Sequence, residues 1–225
     1  MANKERELPQ ALDERPAAPR SEYFQKCLGC VLRRAKNDQK NVFMSMEKAI
    51  QLLEQVWALE SEGKLEEARL VCCEALHLVE MCAGPDSLDA ADLLNQLAEI
   101  EKERLAFHPA VAAAERALTI AKAQNCSGQD EAAARIQLKT LTLLGELRRT
   151  LGECTEAQEN LREALAIATA AFGESSEEFA QALSDQAVLY KYWGRFDEGV
   201  ALYERSLKII RELQGDQSLV QAMDI

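Results

Sequence analysis

The chain has 225 residues, with 26 Lys plus Arg against 38 Asp plus Glu, a net charge of -12, and 48% hydrophobic but only 5% aromatic residues. That apolar content is too high for a disordered chain, and the length suits one domain or a short repeat array with a helical core. An acidic surface repels nucleic acid and anionic membranes, so neither is an expected partner.

The charge is unevenly spread. Residues 1–43 hold nine Lys or Arg and six Asp or Glu, leaving 17 against 32 for the rest. Pro9, Pro16 and Pro19 leave residues 1–20 without periodicity, which predicts a flexible tail. Neither an apolar signal core nor a run of about 18 apolar residues occurs, so no secretory signal or membrane insertion is expected. Over 21–43, Tyr23, Phe24, Cys27, Cys30, Val31 and Leu32 recur at helical spacing before a polar break at Asn37–Asn41, predicting a short amphipathic helix. From Met44 onward the chain reads as helix almost without interruption.

An internal repeat organises that remainder. Four segments begin Gly63-Lys64-Leu65-Glu66-Glu67-Ala68, Leu105-Ala106-Phe107-His108-Pro109-Ala110, Gly152-Glu153-Cys154-Thr155-Glu156-Ala157 and Gly194-Arg195-Phe196-Asp197-Glu198-Gly199. Each continues into a helix carrying Ala75, Ala117, Ala164 or Ser206, positions separated by 42, 47 and 42 residues. The longer spacing places an insertion around Asn125–Gln129. Each unit reads as two antiparallel helices joined at the turn glycine, the second ending near Gly84, Gly128, Gly173 or Gly215. Small residues seven apart (Ala68 and Ala75, and their counterparts) let paired helices approach. Leu65, Phe107, Cys154 and Phe196, with Leu52, Leu94, Leu141 and Leu183, are the expected fillers between units.

With its paired-helix alanines and inter-helix glycine, the pattern resembles the tetratricopeptide repeat (TPR). The 42-residue period and strings such as Leu94-Asn95-Gln96-Leu97-Ala98 are similar to the kinesin light chain and nephrocystin-3 variety. Leu105 in place of a turn glycine, Gln55 where Leu is usual, and the missing long heptad region depart from it. The resemblance implies an all-α fold: a right-handed superhelix (alpha-alpha solenoid) of four antiparallel helix pairs with terminal capping helices. The units fall at about 44–85, 86–127, 128–174 and 175–215. Residues 216–225 repeat the opening of a first helix and predict a partial fifth unit or a capping helix.

Chemistry is sparse. Phosphate-loop, dinucleotide, nucleophile-elbow and HExxH signatures are absent, so no catalytic residue, cofactor or metal is expected, and the chain reads as a non-enzyme. His77 and His108 lie on helices with no motif around them. Cys27-Leu28-Gly29-Cys30 invites a zinc or redox reading, but Cys72 and Cys73 are adjacent and point apart, and no thioredoxin-like context exists; a helical apolar face is the simpler reading. Seven cysteines, an odd number, fit reduced thiols in the cytoplasm. The Glu-rich stretches read as solvated helix faces with i,i+4 pairs.

In the family resembled, the first helices line a concave groove that holds a peptide or partner helix. Carried over position by position, the groove would present Ile50, Leu53 and Trp57, then Asp92, Asn95, Glu99 and Lys102. Lys139, Thr142, Glu146 and Arg149 would follow, then Gln181, Ser184, Val188, Lys191 and Tyr192. Trp57 and Tyr192 would be apolar anchors, and Asn95, Lys139, Arg149 and Lys191 would bond a ligand's backbone or acidic groups. Alternatively, the helix over Ser21–Lys36 covers Ile50, Leu53 and Trp57. A two-carboxylate clamp is not matched, since Leu143 stands where a second cation is needed. The resemblance therefore implies an adaptor or scaffold that binds a protein or peptide partner. The alternatives are a regulatory domain acting on an enzyme or transcription factor, or a module that forms a homodimer by repeat stacking.

Overall fold

A computed structural model describes the backbone of residues 39–125 and 130–223, and the side chains of 44–125 and 130–214. The expected tail, the Ser21–Lys36 helix with its CxxC, and most of the third-unit insertion lie outside these residues. Within them the chain is all α-helix: α1 (Gln39–Ser61), α2 (Leu65–Ala83), α3 (Leu88–Glu103), α4 (Phe107–Gln124), α5 (Glu131–Leu151), α6 (Cys154–Ala171), α7 (Glu177–Tyr192) and α8 (Phe196–Met223). Consecutive helices pack as antiparallel pairs, α1 with α2 through α7 with α8, and each pair stacks on the next. This is the four-pair solenoid expected from the repeat.

The two kinds of helix start differently. First helices begin on a side-chain cap: Ser87 Oγ accepts from Ala90 N (3.2 Å), Asp130 Oδ1 from Ala133 N (3.0 Å) and Ser176 Oγ from Phe179 N (3.1 Å). Second helices have no such cap at Lys64, Ala106 or Glu153. Instead, the tight turn before them closes each first helix with one repeated bond: Lys64 N to Leu59 O, Ala106 N to Glu101 O, Glu153 N to Arg148 O and Arg195 N to Tyr190 O, all at 2.8–3.0 Å. That closure needs a left-handed residue, and Gly63, Gly152 and Gly194 have φ of 73°, 82° and 71°. Leu105 adopts the same conformation, φ 61°, and is the one non-glycine among the described residues with positive φ. Its side chain is 74% exposed, so Leu105→Gly gives up little packing and removes the left-handed strain. We expect stability to rise by about 1 kcal/mol, less the entropy glycine adds to the unfolded chain; the thermal midpoint measures it.

The small-residue ladder behaves as expected. Ala68, Ala110, Ala157, Ala75, Ala117 and Ala164 are fully buried, and Gly199 approaches α7 so closely that a Cβ would lie 3.2 Å from the Ala187 carbonyl oxygen. Ser206 keeps its place in the ladder by donating its hydroxyl to Ala180 O (2.7 Å). Leu52, Leu94, Leu141 and Leu183 are core, at 7%, 3%, 0% and 1% exposure.

Two boundaries and one filler differ from expectation. Helix α1 already includes Gln39 and Lys40, inside the expected polar break, because Gln and Lys are good helix formers and no proline stops them. Helix α8 runs through Gly215 to Met223 without turning, so residues 216–223 prolong the last helix instead of opening a separate one. A lone glycine costs a helix about 1 kcal/mol and by itself does not end it. Phe196, an expected filler, is 61% exposed, because among the described residues no helix packs over it.

Candidate functional site: a groove across the first helices

The first helices α1, α3 and α5 enclose a groove of about 540 Å³. Its apolar surface comes from Leu53, Trp57, Leu93 and Ile136, of which Leu53, Leu93 and Ile136 are held by the core beneath them. Carboxylates dominate the polar lining: Glu60, Asp92, Glu99 and Glu103, against the cations Arg135 and Lys139.

Both cations are already engaged. Lys139 Nζ lies 2.9 Å from Asp92 Oδ1, while Arg135 pairs with Glu131 at 2.9 Å and with Glu178, and rests its guanidinium 4.8 Å from the Phe172 ring centroid. Just beside the groove, Lys102 bridges Glu99 (2.6 Å) and Glu146 (3.0 Å). Burial alone would lower the Lys102 pKa, but the two carboxylates overcome it and hold the ammonium above its ordinary range. These pairs tie α3 to α5 and α5 to α7, and partly exposed pairs of this kind stabilise by at most about 1 kcal/mol each. The indole of Trp57 adds an unusual feature: its Nε1 is buried and makes no hydrogen bond.

Of the residues carried over from the repeat pattern, the structure gathers Leu53, Trp57, Asp92, Glu99 and Lys139 into this groove. Asn95 sits elsewhere. It is fully buried, its carbonyl accepts from Thr140 Oγ1 at 2.9 Å, and its Nδ2 has no partner. Gln96, the next residue, takes the groove position and donates to Glu60 Oε1 at 2.7 Å. The corresponding Ser184 bonds Ser206 of its own pair (2.8 Å), and Thr142 is half-buried. Gln181 donates to Asp185 one turn away (2.7 Å). Arg149 and Tyr192 meet at the far ends of α5 and α7, guanidinium over ring at 4.1 Å, with Lys191 exposed alongside. The candidates thus form two clusters, one in the groove and one at the Arg149–Tyr192 stack.

Sequence reasoning missed Gln96, Glu103, Glu60 and Arg135. Asp92, Gln96, Glu99 and Glu103 follow one helical stripe (i, i+4, i+7, i+11), and that spacing was the available signal.

Among the described residues no other cluster gathers reactive groups. Among the described residues no three His, Cys, Asp or Glu side chains are placed to hold a metal ion, and no helix is long and apolar enough to cross a membrane. His77 and His108 are exposed, and Cys72 is a buried thiol pushed by burial up to about 12, which keeps it protonated and inert.

Stacked helix pairs with a concave first-helix face define a TPR-type solenoid. The family model described as tetratricopeptide repeat matches residues 136–212, about a third of the chain, so that stretch is similar to tetratricopeptide repeats. Among solved structures, BtubC (BKLC) from P. vanneervenii is 20% identical over 87% of this chain and 73% of its own, with a TM-score of 0.63. A putative kinesin light chain with nearly identical TPR-like repeats from Podosopora anserina is 15% identical, with 86% of each chain covered and a TM-score of 0.59. At these identities the likeness establishes the fold. No curated protein matches the chain significantly.

Proposed function

We propose that the protein is a non-enzymatic, cytoplasmic interaction module, an adaptor or scaffold that holds a peptide or helical segment of a partner protein in the groove across α1, α3 and α5. The repeat fold itself supports protein interaction in general terms. The observation that carries the finer reading is the groove's makeup: an apolar floor of Leu53, Trp57, Leu93 and Ile136 under a rim of four carboxylates. Apolar anchors entering such a floor supply affinity, and the rim sets which charge is tolerated. Lys139 and Asp92 neutralise one another and Arg135 is taken up by Glu131 and Glu178, so Glu60, Glu99 and Glu103 leave the groove acidic and favour an uncharged or basic segment over an acidic one.

Selection from a displayed random-peptide library tests this reading. Enriched sequences should carry a large apolar residue flanked by Lys or Arg, and their binding, read by fluorescence anisotropy, should weaken about 30-fold in Trp57→Ala. It should weaken comparably in a Gln96→Arg, Glu103→Arg variant. Peptides that bind all three proteins equally would place recognition outside the groove.

A further inference from the structure

The two ends of the solenoid differ in a way the repeat register makes measurable. Shifting by 42 residues superimposes Lys48, Gln51, Gln55 and Ala58 of α1 on Ala90, Leu93, Leu97 and Ile100 of α3. Ala90, Leu93 and Ile100 are buried against the preceding pair, whereas all four α1 residues are exposed. Among the described residues this side of α1 is therefore exposed and mostly polar. At the other end the same arithmetic gives the opposite result. Tyr203, Leu207 and Ile210 of α8 occupy the register of Cys72, Leu76 and Val79 of α2, which are 0%, 8% and 0% exposed under α3. On α8 the face is open: Phe196, Val200 and Leu207 are 61%, 52% and 46% exposed, with Tyr203 and Ile210 half-buried beside them.

We propose that this face of α8 is a homodimer interface in which two copies pair α8 against α8, antiparallel, about a two-fold axis. Head-to-tail stacking would press the apolar α8 face onto Lys48 and Gln55, which it does not match. A same-face contact matches it, since each copy supplies what the other needs. Charge along α8 selects the antiparallel arrangement. One edge of the apolar stripe carries the exposed residues Asp197, Glu204, Lys208 and Arg211 in that order, two negative and then two positive. A two-fold axis perpendicular to the helix keeps that edge facing itself and reverses its direction, bringing Asp197 opposite the partner's Arg211, with Glu204 at the axis one turn from the partner's Lys208. A parallel arrangement offers no such pairing. The stripe presents on the order of 400 Å² per copy, the size of patch that marks interaction sites, and with its charged rim approaches the roughly 600 Å² per partner at the low end of stable interfaces.

Sedimentation equilibrium of the full chain over a dilution series tests the proposal. The expected result is reversible dimerisation, with the dissociation constant raised at least about a hundredfold by Val200→Glu or Leu207→Glu. Both positions are exposed, so the variants should keep the helical circular dichroism and unfolding midpoint of the parent. Asp197→Arg alone should also weaken the dimer, and adding Arg211→Asp should restore it, an outcome only the antiparallel pairing gives. A monomer at every concentration would overturn the proposal. So would a dimer indifferent to Val200→Glu and Leu207→Glu, or one in which Arg211→Asp fails to rescue Asp197→Arg.

Discussion

Leu141→Ala should lower the free energy of unfolding by about 3 kcal/mol. Leu141 is fully buried at the centre of the third unit, in a cluster with Leu138, Ala164, Ala168, Phe179 and Leu183. Truncation removes three carbons' worth of burial and leaves a cavity whose walls are set by three helices, α5, α6 and α7. Collapse into that space is hindered because the Ala164 and Ala168 positions already bring the α6 backbone close. The readout is the urea midpoint, which should fall with the slope unchanged if the array still unfolds as one unit. A broadened transition would instead mean that the third unit had uncoupled from its neighbours, the failure mode of a one-dimensional array.

Gly145→Leu should cost at least a comparable amount, through the opposite defect. Gly145 lies inside α5, and a Cβ built there would sit 2.7 Å from Cγ and Cδ2 of Leu161 on α6. The repeat explains the glycine. Its register partners are Val56, Ala98 and Ala187, and the register partners of Leu161 are Cys72, Ala114 and Tyr203. Where the facing residue is large, the first-helix residue is small. Leucine at 145 forces either α6 to move or Leu161 off its rotamer, an overpacking penalty of about 3 kcal/mol that outweighs the roughly 1 kcal/mol gained by removing a mid-helix glycine. Shrinking the opposite side separates this account from a simple propensity effect: Gly145→Leu with Leu161→Ala should recover much of the loss, measured by the same urea titration. A double variant no better than the single one would refute the steric account.

How far the sequence disclosed this molecule depended on whether a feature repeats. The Ala68-to-Ser206 ladder and the turn at Gly63, Leu105, Gly152 and Gly194 recur four times, so they showed the helix pairs and their stacking directly. Even Leu105 was visible as the exception, and the structure gives it the left-handed backbone its position demands. Gln55, an apparent flaw in the pattern, is polar where it is exposed on the outer face of α1. Features that occur once were harder to read. Asn95 looked like a groove residue because its helical position nearly faces inward, yet a shift of one residue, 100° around the helix, buries it against Thr140 and hands the groove to Gln96. The continuation of α8 through Gly215 was likewise hidden, since a glycine like those that close α2 at Gly84 and α6 at Gly173 carries no mark showing that here it does not. Pairings across three helices, such as Arg135 with Glu178, depend on superhelical stacking that no local spacing encodes.

The left-handed leucine has a consequence for how the array comes apart. Three of the four hinges between paired helices are glycines that close at no steric cost, while the hinge at Leu105 is held shut against its own backbone preference by the α3–α4 contacts around Ala98, Ala110 and Ala114. The second helix pair therefore stores tension that its neighbours do not. When the solenoid breathes, amide protons at Ala106, whose bond to Glu101 closes that hinge, should exchange ahead of their counterparts at Lys64, Glu153 and Arg195, making the second unit the place where an otherwise even spring first gives.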